Sequence, residues 1–239
     1  MYSNYIFDLY GTLVDINTNE NSKPLWDKLA LFYSFNGAYY NAKILKSSYR
    51  KKVKETQLSM TNTDYPDFPI ENIFASLFED KHVHVSADTL KAATQMFRIL
   101  SIKYLKLYTG VFELLDLLKD KKKKIYLLSN AQRTFTLYEM KILGIDRYFD
   151  GIYFSSDHYV CKPDKTFYGK LIEKFNLNIK DSIMIGNDFI ADIEGANAIG
   201  LDSLYIDSNL SPKITRNLKS NYTIMDGDIH KISDLIIST

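Results

Sequence analysis

Short apolar runs that stop on a polar residue, each followed by a stretch with helical spacing, recur through the second half of this chain. Ile125–Leu128 reads as a strand ending at Ser129, and Thr134–Leu143 as a helix closed by Gly144. Gly151–Phe154 is the next strand, with a helix from about Asp164 to Phe175 behind it. Ser182–Ile185 predicts a strand, Phe189–Ile199 a helix stopped by Gly200, and Leu201–Ile206 a further strand. Tyr222–Ile224 and Ile229–Ile237 predict a last short strand and helix. Alternation of this kind predicts βαβ units on a parallel sheet, an α/β fold. One more run stands at the start: Tyr5-Ile-Phe climbs a strand and stops at Asp8, Gly11 permits a tight turn, and Thr12 adds a hydroxyl.

Residues 20–108 have another texture, with long helical periodicity and few strand signals. Across Asp88–Tyr108, the side chains of Ala93, Met96, Phe97, Leu100 and Tyr104 recur at spacings of three and four, which predicts one helix over the whole stretch. Pro69 opens another helix through Ile73, Phe74 and Leu77, and Pro24 a first one with Ser22 as its cap. Asn62–Pro66 is the break between them. Trp26, Phe32, Tyr33, Phe35, Tyr39 and Tyr40 are expected in a helix-bundle core rather than around a ligand. The block follows the first strand and precedes the rest of the sheet, so it is an insertion.

Composition narrows the partners more than the fold. The 239 residues suffice for one large domain or a domain with an insertion, and 46% hydrophobic content supports a real core. A net charge of +1 gives no reason to expect nucleic acid or an anionic membrane, and the Lys121–Lys124 run falls where a solvated turn is expected. A single cysteine, Cys161, excludes an internal disulfide framework, and it is expected to pack rather than react. No secretory segment is apparent and no apolar run approaches the ~20 residues of a membrane span. A cytoplasmic enzyme acting on a small molecule, as monomer or homodimer, is the expectation.

The chemistry lies at the strand ends, where open α/β sheets hold their ligands. Asp8 is a carboxylate delivered there. Ser129 and neighbouring backbone N–H groups can hold phosphate or carboxylate oxygens, and Lys162 offers a point charge between nucleophile and substrate. Pro163 and Asp164 begin a helix, the acid lying near its positive end. Asp188 and Asp192, four apart at a helix start, would share a face and converge with Asp8. Three carboxylates against one lysine favour a hard divalent cation, magnesium above all. The alternative makes Asp188 a cap and Asp192 a solvated charge.

These segments together resemble the haloacid dehalogenase-like hydrolase superfamily: Asp8-Leu-Tyr-Gly-Thr, then Ser129, then Lys162-Pro-Asp, then the Asn187–Asp192 cluster, in that order along the chain. The resemblance implies a Rossmann-like core (residues 1–15 and 109–239) flanked by helices, with a mobile helical cap inserted at 16–108. It implies Asp8 as a nucleophile forming a covalent intermediate. Asp8, Tyr10 and Lys162 are then the catalytic candidates, and Thr12, Ser129, Asn130 and Lys162 the substrate or phosphate ligands. Asp8, the Tyr10 carbonyl, Asn187, Asp188 and Asp192 would hold Mg2+. Selectivity would come from the cap.

Two positions depart from the phosphatase pattern. Tyr10 stands where a second aspartate usually protonates the leaving oxygen, and a phenol near its ordinary ~10 is a modest acid. Asn187 stands where the last motif usually begins with an acid. Tyrosine after the nucleophile is similar to the metal-independent 2-haloacid dehalogenases, as is Tyr168, six residues beyond Lys162. Those enzymes also need an arginine to grip the substrate, for which Arg50, Arg98 and, in the core, Arg133 are the candidates. Three readings therefore stand: a magnesium-dependent phosphatase of a small phosphorylated metabolite, a 2-haloacid dehalogenase, and a catalytically weakened binding or regulatory protein.

Overall fold

The computed structural model describes residues 2–238. Six parallel strands form the main sheet, in the order β5 (Gly151–Phe154), β4 (Lys124–Ser129), β1 (Asn4–Phe7), β6 (Ser182–Gly186), β7 (Asp202–Ile206) and β8 (Tyr222–Ile224). The nucleophile strand thus sits at the centre, with Phe7 level with Leu127 on one side and Ile185 on the other. Successive side chains of a strand point to opposite faces, and the clusters follow that rule. Tyr5, Phe7, Leu127 and Ile185 pack on one face with α5 (Val111–Asp120) and α9 (His230–Ser238). Ile6, Leu128 and Met184 pack on the other with α7 (Lys165–Phe175). α6 (Arg133–Ile142) completes the first layer.

The inserted helical region comprises α1 (Lys23–Phe35), α2 (Ala42–Ser59), α3 (Glu71–Glu79) and α4 (Ala87–Ser101). It is entered and left through an antiparallel pair, β2 (Val14–Thr18) and β3 (Ile102–Leu107). Trp26, Tyr33, Tyr49, Phe74 and Phe97 form its core, and Phe135 of α6 is buried in that same cluster. The insertion is therefore seated on α6 by a core aromatic.

Several sequence expectations are corrected. The helix expected over Asp88–Tyr108 ends at Ser101, whose hydroxyl bonds the Arg98 carbonyl, and Tyr104 lies on β3. Strand β2 was not anticipated. Phe35 and Tyr39 are exposed at 83% and 75% rather than buried in the bundle. Ser22 precedes α1 without a side-chain cap bond, whereas Asn41 and Ser86 cap α2 and α4. The helix expected over Phe189–Ile199 begins as a π-helical turn, Phe189–Glu194, and continues as α8 (Gly195–Asn197). No helix among the described residues is long and apolar enough to cross a membrane.

Candidate active site

Asp8 follows β1 directly and its backbone N–H donates to the Ile185 carbonyl at 2.9 Å, so the centre of the sheet fixes its position. Lys162 enters from the segment between β5 and α7. Asn130, just past β4, clamps its backbone from both sides: Lys162 N–H donates to Asn130 Oδ1 at 2.8 Å, and Asn130 Nδ2 donates to the Lys162 carbonyl at 2.9 Å. The ammonium then reaches Asp8 Oδ1 and Asp192 Oδ1, each at 2.7 Å. Burial alone would push the Lys162 ammonium down, but the charges of Asp192 and Asp8 outweigh it and hold the group protonated. Three residues distant in sequence thus form one buried ionic cluster.

The π-helical turn shapes the far side. The other Asp192 oxygen accepts the Asp188 N–H at 2.9 Å, while Asp188 Oδ1 caps the turn by accepting from Ile190 and Ala191 at 2.8 and 2.9 Å. Asp188 is therefore a capping residue as well as a pocket-lining carboxylate, and Asp192 is an enclosed partner of Lys162 rather than a solvated charge. Extra turns of this kind recur at functional sites. Asn187 is held by Thr12, whose hydroxyl donates to Oδ1 at 3.3 Å, and Asn187 Nδ2 donates to Ser211 Oγ at 3.4 Å. At Gly11, φ is +87° and an added Cβ would lie 2.3 Å from Asn187 Nδ2, so the turn has room only for glycine.

Asp8, Tyr10, Ser129, Asn130, Lys162, Asn187, Asp188 and Asp192 line one pocket of about 180 Å3. Thr12 is not on its wall; it touches Asn187, which is. Tyr10 lines the pocket but its hydroxyl reaches α6, bonding Glu139 and, at 2.9 Å, Thr136. Burial first, then the Glu139 carboxylate, push the phenol well above its ordinary range. Arg98 of α4 completes this group through Glu139 Oε1 at 2.5 Å.

Other candidates are placed elsewhere. Tyr168 is fully buried, with its hydroxyl on the carbonyls of Ala191 and Asp192. Arg50 bonds Asn21 within the insertion and Arg133 pairs with Asp157. Among the described residues, no arginine lines the pocket. Cys161 sits beside Lys162, but burial pushes its thiol up to about 11, so it carries no thiolate at neutral pH.

Sequence reasoning missed the pocket's remaining wall, Leu210 and Pro212, which lie in an aperiodic stretch after β7. The available signal was position: Ser208-Asn209-Leu210-Ser211-Pro212 is turn-forming sequence immediately beyond a strand's C-terminal end. It also missed the strap that the Asn62–Pro66 break becomes. Cys161 N–H donates to the Tyr65 carbonyl at 3.0 Å, and Gln132 Nε2 donates to Asp67 Oδ1 and the Phe68 carbonyl, both at 3.0 Å.

No group of three or more His, Cys, Asp or Glu side chains is arranged to hold a metal among the described residues. What borders the pocket is a mixed oxygen set, the carboxylates of Asp8 and Asp188 with the Asn187 carboxamide. Such a set suits magnesium, which keeps several waters and takes one or two carboxylates together with substrate phosphate.

A central parallel strand ending in an aspartate, a lysine enclosed between two acids and a helical insertion define a hydrolase of the haloacid dehalogenase type. Comparison with known proteins agrees: the profile of haloacid dehalogenase-like hydrolases matches residues 2–200, and the chain belongs to that family. The ribulose-1,5-bisphosphate 5-phosphatase of Halopiger xanaduensis is 27% identical over 123 residues, 52% of this chain and 51% of that protein. The pyrimidine 5'-nucleotidase PynA of Streptococcus pneumoniae is 28% identical over 98 residues, 41% of each. The matched region thus spans about half the length of these curated relatives or less. YfnB of Bacillus subtilis, solved bound to magnesium, superposes with a TM-score of 0.57 at 17% identity, covering 99% of both chains. A dehalogenase superposes with a TM-score of 0.60 at 18% identity, covering 98% of this chain and 96% of that one. These two likenesses speak to the fold.

Proposed function

We propose that the protein is a magnesium-dependent phosphatase of a small phosphorylated metabolite, working through an aspartyl phosphate on Asp8. The observation that carries this reading is the pair of 2.7 Å contacts by which Lys162 joins Asp8 to Asp192. A carboxylate nucleophile must meet an anionic phosphoryl group, and a fixed ammonium at its elbow offsets that repulsion. The phosphatases among its relatives favour the same chemistry.

In this scheme the insertion over residues 16–108 serves as the cap. Asp8 attacks phosphorus in line with the leaving oxygen, which departs as its anion as the P–O bond breaks, and water then attacks the aspartyl phosphate, freeing inorganic phosphate and restoring the carboxylate; Lys162 balances the charge of the transferred group and the Ser129 hydroxyl orients its oxygens. Asp8, the Tyr10 carbonyl, Asp188 and Asn187 would hold the magnesium. Bound there, the cation neutralises phosphoryl oxygens and lowers the repulsion that Asp8 meets. We assign Asp192 to the lysine instead, because its two oxygens are occupied by Lys162 and the Asp188 N–H. The Asn130 side chain acts through the Lys162 backbone that it clamps. Tyr10 contributes its backbone carbonyl. Its hydroxyl is spent on Glu139 and Thr136, so Tyr10 is not free to protonate the leaving group, and acyl and aryl phosphates are the preferred substrates.

Dehalogenation draws less support, since the pocket wall has no arginine among the described residues and Tyr168 is turned into the core. The test is hydrolysis of acetyl phosphate with magnesium. Asp8→Asn should reduce it at least about 1,000-fold, chelator should abolish it, and acid quench should leave phosphate on the peptide carrying Asp8. Turnover indifferent to chelator, or chloride release from 2-chloropropionate in its presence, would overturn the reading.

A further inference from the structure

Between α2 and α3 the insertion lays a strap, Thr63–Phe68, against the two core segments that carry Ser129, Asn130 and Lys162. Among the described residues, the wall of the pocket over Asp8 includes none of the strap, so any effect on the chemistry passes through those segments. Its contacts with the lysine segment fall on both sides of Lys162. The Cys161 N–H donates to the Tyr65 carbonyl at 3.0 Å, and the Thr63 hydroxyl donates to the Asp164 carboxylate. Asn130 holds the Lys162 backbone between these two points.

The Ser129 segment is gripped as closely. Gln132, three residues further on, commits its carboxamide to the strap and its continuation. Its Nε2 donates to Asp67 Oδ1 and to the Phe68 carbonyl, each at 3.0 Å, and its Oε1 accepts the Ile70 N–H at 2.8 Å. The other Asp67 oxygen accepts the Ser155 hydroxyl. A hydroxyl has one proton, and with that proton on Asp67 the Ser155 oxygen keeps its lone pairs for the Ala131 N–H, which it accepts at 2.8 Å. Asp67 thus directs Ser155 and, through it, the chain immediately behind Asn130. The three donors that meet Asp67 are all neutral, the third being the Phe68 N–H at 2.8 Å. Burial pushes this carboxyl up, with Asp157 acting in the same sense, against the hydrogen bonds from Ser155, Phe68 and Gln132. A half-buried acid without a cation is costly, and what it offers over a neutral side chain is a stronger acceptor.

We propose that Asp67 of the insertion is a positioning residue for the reaction at Asp8. By docking the strap it fixes the Ser129–Gln132 and Cys161–Asp164 segments from behind, so that Ser129 and Lys162 are in register when a phosphoryl group arrives. This rests on the phosphatase reading. The two segments otherwise meet through the Asn130 clamp and the Ser155 and Ser156 hydroxyls, which accept the Ala131 and Arg133 N–H groups. The strap ties Gln132 to one end of that junction and Cys161 and Asp164 to the other. Linkage makes the effect reciprocal: a ligand that needs both segments in place also favours the docked strap.

The experiment joins kinetics to hydrogen exchange read at single amides. In the unaltered protein, saturating inorganic phosphate with magnesium should slow exchange of the Ile70 and Cys161 N–H groups at least about 3-fold, with the β1 amides as the unmoved reference. Asp67→Ala should speed exchange at both positions and lower kcat for acetyl phosphate at least about 10-fold, since small misplacements of catalytic groups are costly. KM should move less than about 3-fold, the mark of lost register rather than lost binding. Asp67→Asn, which keeps the volume and an oxygen acceptor, should recover most of kcat. Undiminished kcat in Asp67→Ala, a loss carried by KM, no recovery in Asp67→Asn, or phosphate that leaves both amides unmoved in an enzyme that turns over acetyl phosphate would overturn the positioning role and leave the phosphatase standing. The phosphate measurement needs no variant, so it decides the matter even where a mutant fails to fold. Absence of any acyl phosphate turnover would bring down the phosphatase reading and this role with it.

Discussion

Lys162 is 3% exposed, and an ammonium so enclosed stays charged only because two carboxylates reach it. The arrangement depends on a residue with no side chain. At Gly186, the last residue of β6, an added Cβ would stand 2.2 Å from Asp192 Cγ, closer than atoms can approach. Gly186→Ala should therefore push Asp192 away from Lys162. An overpacking cost of about 1–3 kcal/mol is expected in denaturant unfolding, with acetyl phosphate turnover falling at least ~100-fold because the ammonium loses its register. Activity that falls only as far as the folded fraction would show that Asp192 does not set the lysine's position. Asp8, Lys162 and Asp192 were legible in sequence because each sits where an apolar run or a helix start meets the sheet edge. The division of labour between Asp188 and Asp192 was not, since which oxygen accepts which N–H depends on a π-helical turn that leaves no periodic trace.

Among the elements, the six strands of the main sheet stand close to where apolar runs place them, because buried parallel strands carry nearly continuous apolar sequence. Strands β2 and β3 escaped for the opposite reason. Val14-Asp-Ile-Asn-Thr and Ile102-Lys-Tyr-Leu-Lys-Leu are half exposed, and the second continues the helical spacing of α4 so closely that only its pairing with β2 distinguishes it. Pairing of the main sheet is pinned at its other edge by Asp150, just before β5. Its carboxylate accepts from Lys119 of α5 at 2.8 Å, Lys124 of β4 at 2.9 Å and the Ile125 N–H at 3.0 Å. Burial opposes ionisation there, but Lys119, the Ile125 N–H and Lys124 prevail and bring the carboxyl from the ordinary 3.8 down to about 2. A group held below its unfolded value stabilises the fold above that value and loses the effect as pH falls through the folded one. Unfolding monitored between pH 5 and pH 2 should show stability declining from about 3.8 downward, and less steeply in Asp150→Asn. Equal slopes in the two proteins would mean that these contacts do not hold β5 to its neighbours.

At the scale of the molecule, the question is what seats the insertion on the core. The sequence marks the insertion by its position and texture, yet the contacts of α4 with α6 run through residues with no motif around them. Phe135 of α6 reaches into the cluster of Trp26, Phe74 and Phe97, and beside it Arg98 of α4 meets Glu139 of α6, with side chains 14% and 5% exposed. The guanidinium also lies 5.3 Å from the Phe135 ring centre, and Glu139 holds the Tyr10 hydroxyl next to the nucleophile. A buried ion pair adds little over a well-packed apolar pair of the same size, but removing one partner strands the other charge in a poorly hydrated site. Arg98→Ala should thus cost about 3–5 kcal/mol, whereas Arg98→Met combined with Glu139→Leu should recover most of it, leaving Tyr10 to rely on Thr136. Because the pair bridges α4 and α6, the single variant should also let the insertion swing, read as a larger radius of gyration in solution scattering and a raised KM for acetyl phosphate. A single-variant cost below about 1 kcal/mol, the range of solvent-screened pairs, with unchanged scattering would mean that the Arg98–Glu139 pair does not hold the insertion in place.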